Sequence, residues 1–170
     1  MGTFLINSER PSMNGTSATI DMQSSGVMMP PSVLDLETFT RCAPILISDD
    51  EPQIAHLYEV LMARARLHTI SIPDSYQALD YMLNKPVSLV ISDLNKPNLT
   101  GIDLLKALRQ DPTMTETPFI IITATPEYES RQMFKMLNGS AYLAKPIDGR
   151  QLTQVVTQLL TVQLADQPIQ

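Results

Sequence analysis

The chain has 170 residues, a net charge of −6 and no block of Lys or Arg, which speaks against nucleic acid as a direct partner, since that partner is met with clustered cations. Hydrophobic residues make up 44% of it, enough for one domain with a single core plus a tail. The lone cysteine, Cys42, excludes an internal disulfide and fits a reducing compartment. No apolar run approaches the ~18 residues of a membrane span, and Met1 to Ile6 lacks the basic start of a secretory leader. A cytoplasmic protein without a membrane partner is expected.

Residues 1–40 have a texture of their own. Ser, Thr, Asn, Gly and Pro fill 19 of these 40 positions, with no sustained period of 2 or 3.6. Such a segment cannot bury enough apolar surface to offset its ordering entropy, so a disordered N-terminal extension is expected. One local signal stands out. Ser32-Val33-Leu34-Asp35 matches a capping box ahead of Leu36 and Phe39, which would open a short helix able to dock on the domain or on a partner. The domain itself is expected over 41–166, with 167–170 as a short tail.

From Pro44 onward, apolar runs alternate with helical patterns. Ile45-Leu46-Ile47 reads as a strand, closed by Ser48-Asp49-Asp50-Glu51-Pro52. A helix follows with Ile54, Leu57, Tyr58, Leu61 and Met62 on one face, capped by Asp50 or Glu51 and opened by Pro52. Leu67 to Ile72 is the second strand, and a helix from about Asp74 to Asn84 turns Tyr76, Leu79 and Leu83 inward. Val87 to Ser92 is the third strand. The helix from Gly101 to Arg109 carries Leu104, Leu105 and Leu108. Phe119 to Ile122 is the fourth strand, ending at Thr123. The helix from Pro126 to Leu137 presents Met133, Phe134 and Leu137, and Asn138-Gly139 suggests a left-handed cap. Ala141-Tyr142-Leu143 is the fifth strand, ended by Lys145-Pro146. The last helix, from about Asp148 to Ala165, faces the core with Leu152, Val155, Val156, Leu159 and Leu160. Continuous apolar strands between amphipathic helices predict an α/β fold, a doubly wound parallel sheet of five strands covered on both faces.

Polar residues of particular kinds close four of these strands: Asp49 and Asp50, Asp93, Thr123, and Lys145. In a doubly wound sheet these carboxyl ends share one edge, so the residues converge. Two carboxylates about 4 Å apart repel by roughly 4 kcal/mol at an effective dielectric of 20. Three of them need a cation, and a hard divalent ion such as Mg2+ suits an oxygen donor set. A metal and a lysine around a carboxylate are the parts of phosphoryl transfer, with the carboxylate as nucleophile and the Thr123 hydroxyl as donor to the phosphoryl group. Any one of these residues alone is as well explained by a helix cap, a strand position or a solvated charge; their joint appearance at successive strand ends is not. His56 and His68 sit at no strand end and carry no role.

On these residues the segment from Pro44 to Ala165 resembles a response-regulator receiver domain, the phosphoacceptor half of two-component signalling. The likeness rests on Ile45-Leu46-Ile47-Ser48-Asp49-Asp50-Glu51-Pro52, on Asp93-Leu94-Asn95-Lys96-Pro97-Asn98-Leu99-Thr100-Gly101, on Ile122-Thr123-Ala124 and on Tyr142-Leu143-Ala144-Lys145-Pro146. It suggests a single-domain receiver of the chemotaxis type with an N-terminal extension. The resemblance implies a flavodoxin-like (βα)5 fold with strand order 2-1-3-4-5. It further implies Asp93 as phosphoacceptor, Mg2+ held by Asp49, Asp50, Asp93 and the backbone carbonyl of Asn95, and Thr123 and Lys145 on the phosphoryl group. Thr123, Ala124 and Tyr142 would form the switch, and the Lys145-Pro146 bond would be cis. The implied partners are a histidine kinase or phosphotransfer protein and an output protein at the fourth helix, fifth strand and fifth helix counted from Pro44; a homodimer is open.

The chain departs from the family where Asn138-Gly139 replaces Gly-Ala, where Lys96 stands in place of a common Met, and where Thr100 precedes Gly101. Asn95 and Thr125 flank the site where the family tunes dephosphorylation. Two other readings compete. A receiver-shaped adaptor would act without phosphorylation through its N-terminal extension. A haloacid-dehalogenase-type phosphatase would need a second acid where Asn95 stands. On the receiver reading the protein catalyses at most its own phosphorylation and dephosphorylation.

Overall fold

The computed structural model describes residues 32–166. Five parallel strands, β1 (Ile45–Ser48), β2 (Thr69–Ser71), β3 (Leu89–Asp93), β4 (Phe119–Thr123) and β5 (Ala141–Ala144), form one sheet in the order β2-β1-β3-β4-β5. Six helices accompany them: α1 (Val33–Cys42), α2 (Pro52–Arg64), α3 (Ser75–Asn84), α4 (Gly101–Gln110), α5 (Tyr128–Met136) and α6 (Gly149–Ala165). The expected flavodoxin-like architecture and strand order are those of the structure.

The sheet is covered on both faces because its central strands are apolar on both. Ile45, Ile47, Leu89, Ile91, Ile120 and Ile122 pack with Tyr58 and Met62 of α2 and Leu152, Val156 and Leu160 of α6. Leu46, Val90, Phe119 and Ile121 alternate to the other face, against Ala78 and Met82 of α3, Leu104, Leu105 and Leu108 of α4 and Phe134 of α5. The register pairs Ser48 with Ser92, Asp93 with Ile122 and Thr123 with Ala144. The last residues of β1, β3, β4 and β5 therefore stand side by side.

Several inward faces differ from the expected ones. On α2, Leu57 is exposed and Ala55, Tyr58 and Met62 are buried; on α3, Tyr76 and Leu83 are exposed and Ser75, Ala78 and Met82 are buried. In both cases a small residue takes the line of closest approach to the sheet, and the larger side chains are turned aside. Met133 of α5 is likewise exposed, while Phe134 is buried. Glu51 is the N-cap residue of α2 but makes no side-chain cap bond. Asn138 adopts a left-handed φ of 52°, and the Lys145-Pro146 bond is cis, both as expected.

The folded body begins before residue 41. Ser32 and Asp35 close the capping box in both directions, and α1 follows. Leu36 is buried in the α2/α6 side of the core, and the buried Thr40 hydroxyl accepts from the His68 amide at 3.1 Å. Residues 33–40 thus leave the extension to which composition assigned them, because Leu36, Phe39 and Thr40 find a surface to pack on. The disorder expected for residues 1–31, and the tail 167–170, lie outside the described residues.

Gly101 is the one glycine that the site cannot do without. A Cβ there would lie 2.6 Å from the Asp93 carbonyl oxygen and 3.3 Å from the Leu94 Cα, so only Gly lets α4 begin against the end of β3. Both obstacles are backbone and cannot rotate away. Gly101→Ala should cost about 1–3 kcal/mol of unfolding free energy, as overpacking does; a urea midpoint equal to that of the wild type would contradict it.

Candidate functional site

The carboxyl edge of the sheet brings together Asp49, Asp93, Thr123 and Lys145, which are distant in sequence. Asp93 is the last residue of β3, flanked by β1 and β4. Both of its carboxylate oxygens are engaged: Oδ1 lies 3.1 Å from Lys145 Nζ, and Oδ2 accepts from the Asn95 amide at 2.9 Å. Asp49, only 1% exposed, accepts from Lys145 Nζ at 3.1 Å and from the Glu51 amide at 3.0 Å. Lys145 therefore spans the two buried carboxylates, and it reaches Glu51 at 3.3 Å on the rim. Its position is set by its own amide, which donates to the Thr123 carbonyl at 2.8 Å.

The charges of this cluster are unequally comfortable. Burial raises the Asp93 pKa above the usual 3.8, and the hydrogen bond from Lys145 only partly offsets it. Burial also opposes the charge on Lys145, but its hydrogen bonds to Asp49 and Asp93 outweigh that and hold its pKa above the ordinary lysine value. Tyr58 lies beneath, buried, with its phenol pushed up to about 12 by desolvation.

The remaining expected residues are placed as follows. Thr123 is fully buried at the end of β4, and its Oγ1 accepts from the Thr125 amide at 3.2 Å, so the hydroxyl is turned into its own loop. Ala124 is exposed. Tyr142 is half-buried, edge-on to Phe134 at 5.4 Å, with the Arg131 guanidinium 5.1 Å above its ring and its own hydroxyl buried without a partner among the described residues. Asp50 is exposed and has no ion pair among the described residues. Among these residues no three acidic, His or Cys side chains converge closely enough to form a metal cluster as they stand. The Lys145 ammonium already occupies the interval between Asp49 and Asp93.

Four features of the site were not foreseen. Glu51 belongs to the rim. Thr100 is the N-cap of α4, closing a capping box with Asp103, which the spacing Thr100-x-x-Asp103 could have announced. Asn95 Nδ2 donates to Thr125 Oγ1 at 2.8 Å and so joins the loops after β3 and β4 above Asp93. Lys96 is buried, and its ammonium donates to the Ser48 hydroxyl inside the protein. Desolvation lowers its pKa to about 8, against the pull of Asp93, Asp49, Asp50 and Asp74. The signal for it was Ser48, a polar residue in an otherwise apolar buried strand.

Comparison with known proteins decides what this edge belongs to. A family model described as the response regulator receiver domain matches residues 45–157. The chain belongs to that family. Among curated proteins, the receiver is similar to the transcriptional regulatory protein CpxR of Escherichia coli, 34% identical over 116 residues that cover 68% of this chain and 48% of CpxR. It is 30% identical to the response regulator protein PilR of Pseudomonas aeruginosa over 68% of this chain and 25% of PilR. The match thus spans about half, or less, of the relatives' own length. Among solved structures, the receiver domain of the Francisella response regulator 1452 is 27% identical with a TM-score of 0.64, covering 70% of this chain and 97% of that one. Chemotaxis protein CheY4 of Vibrio cholerae, at 24% identity and a TM-score of 0.63 over 68% and 96%, shares the receiver fold. No helix among the described residues of the receiver is long and apolar enough to cross a membrane.

Proposed function

We propose that the protein is a phosphorylation-dependent signalling switch that accepts a phosphoryl group on Asp93 in the cytoplasm. The observation that carries this reading is the Asp93 carboxylate at the end of the central strand, held by Lys145 at 3.1 Å and by the Asn95 amide at 2.9 Å. One Asp93 oxygen attacks phosphorus in line; the bond from phosphorus to the donor breaks, its electron pair leaves with the donor, and an acyl phosphate results. The donor is a histidine kinase or phosphotransfer protein. Lys145 neutralises charge on the transferred oxygens, and the Thr123 hydroxyl turns from the Thr125 amide to donate to one of them.

Mg2+ fits the donors this chain offers. Among the described residues Asp50 is exposed and without an ion pair, Asp93 supplies a carboxylate, and the Asn95 carbonyl accepts no hydrogen bond. A set of few carboxylates completed by waters is what Mg2+ prefers, and Asp49, now tied to Lys145, would join Asp50, Asp93 and the Asn95 carbonyl in holding it. Bound there, the ion would supply charge neutralisation at the phosphoryl oxygens. Phosphorylation then biases Thr123, Ala124 and Tyr142 between two arrangements that an output protein distinguishes at α5, β5 and α6.

Incubation with Mg2+ and acetyl phosphate tests the reading. The expected product is a single acid-stable, base-labile adduct, mapped to Asp93 by borohydride trapping and mass spectrometry. An unmodified protein after treatment with acetyl phosphate and with phosphorylated kinases of the same cell would overturn it.

A further inference from the structure

One buried cation beside this site, Lys96, is not used by the phosphoryl-transfer reading. Lys96 is 8% exposed, although lysine almost never lies fully inside. It stands in the loop after β3, and its ammonium meets the hydroxyl of Ser48, the residue next to Asp49 at the end of β1. The two cations of the site approach from different sides. Lys145 enters from the loop after β5 and pairs with Asp49, Asp93 and Glu51. Lys96 makes no ion pair with any of them, yet its partner Ser48, the last residue of β1, adjoins Asp49 and pairs in register with Ser92, the neighbour of Asp93, so the ammonium stands beside both buried carboxylates. A buried ammonium is costly to desolvate, and a neutral acceptor such as Ser48 does little to offset that. What it gains comes from the surrounding carboxylates.

The same carboxylates are the donors proposed above for Mg2+. A fixed positive charge beside them both relieves their mutual repulsion and repels an incoming divalent ion, and inside the protein that repulsion is weakly screened. We propose that Lys96 is a second resident cation of the acidic pocket, a positioning residue that sets the affinity for Mg2+ by occupying part of the charge the metal would otherwise neutralise. This inference rests on the receiver reading of Asp93 and Asp50. Ser48 holds the ammonium in place: it fixes the geometry, and Lys96 supplies the field.

Calorimetric titration of the full chain with Mg2+ alone tests it, on the wild type, Lys96→Met, Lys96→Gln and Ser48→Ala. Lys96→Met keeps the apolar stem and removes the charge; Lys96→Gln does the same with a polar end, should Met repack the loop. Both are expected to bind Mg2+ more tightly than the wild type, on the order of tenfold for a charge a few ångströms beyond contact. Ser48→Ala keeps the charge, so its affinity should stay within about threefold of the wild type, a smaller Coulomb change than losing the charge outright. Unchanged or weaker Mg2+ binding in both Lys96 variants would overturn the proposal, as would an equal gain in Ser48→Ala, since the effect would then come from loop geometry. If the wild type forms the Asp93 adduct and binds Mg2+ while the Lys96 variants match it, this inference alone falls. If no variant binds Mg2+ and no adduct forms, the receiver reading of the site falls with it.

Discussion

Lys145→Met is expected to destabilise the protein in metal-free buffer by about 3 kcal/mol, read from urea unfolding in EDTA. The lysine joins two carboxylates that the fold has taken out of water, Asp49 at 1% exposure and Asp93 at 8%. Removing one partner of a buried ion pair costs roughly 3–5 kcal/mol, most of it the penalty of the charge left behind. The lower end applies because Lys145 keeps 15% of its side chain exposed and water can enter where it leaves. The Glu51 contact adds little, since that carboxylate is solvated on the rim. Added Mg2+ should return part of the loss by binding only the folded state. Formation of the Asp93 adduct should slow by about 10²–10³, the usual effect of losing one group that stabilises developing charge. A variant as stable as the wild type in EDTA would mean that Lys145 does not hold the acids together.

Asp93→Asn is expected to abolish the adduct altogether and, in the same metal-free buffer, to melt no lower than the wild type. The amide cannot attack phosphorus as a carboxylate does, while Asn95 can still donate to its oxygen and Lys145 retains Asp49 and Glu51. The sign of the stability change follows from the raised pKa of Asp93, for which burial is the main cause. A carboxyl group that holds its proton more tightly when folded favours folding below the ordinary value of 3.8 and loses that contribution as pH rises through its higher folded value. The advantage of Asp93→Asn should therefore grow from acid to neutral pH and vanish below about pH 4. Here function opposes stability, as it often does where like charges are gathered for chemistry. A variant clearly less stable than the wild type at pH 7 would show that the carboxylate is net stabilising where it stands.

What could be foreseen from the residues followed from topology more than from detail. A parallel sheet sends every strand end to one edge, so Asp49, Asp93, Thr123 and Lys145 could be gathered from their places after apolar runs alone. Helix faces were less legible. Counting large apolar residues put Leu57, Tyr76, Leu83 and Met133 inside, whereas all four are exposed. The decisive positions were Ala55, Ser75 and Ala78, whose small size lets α2 and α3 approach the sheet. A capping box of four residues was visible at Ser32, but its helix holds because Leu36 enters the core shared with α2 and α6 and Thr40 bonds the His68 amide, a tertiary gain that no local pattern reports. The Ser48–Lys96 pair lay 48 residues apart in sequence. Each half was unremarkable alone, and only the β1–β3 pairing makes them neighbours.

Helix α1 meets the body where Thr40 and His68 join, at the amino ends of β1 and β2. Asp93 stands at the opposite, carboxyl edge, about 13 Å along the five-residue β3 from its first residue. The molecule is accordingly two-ended. A partner gripping α1 at its Thr40 end would not shade the Asp93 carboxylate, and a molecule seated on Asp93 would not displace that partner. Holding the first end raises the effective concentration of the receiver near whatever engages the second, with no new contact at the site itself.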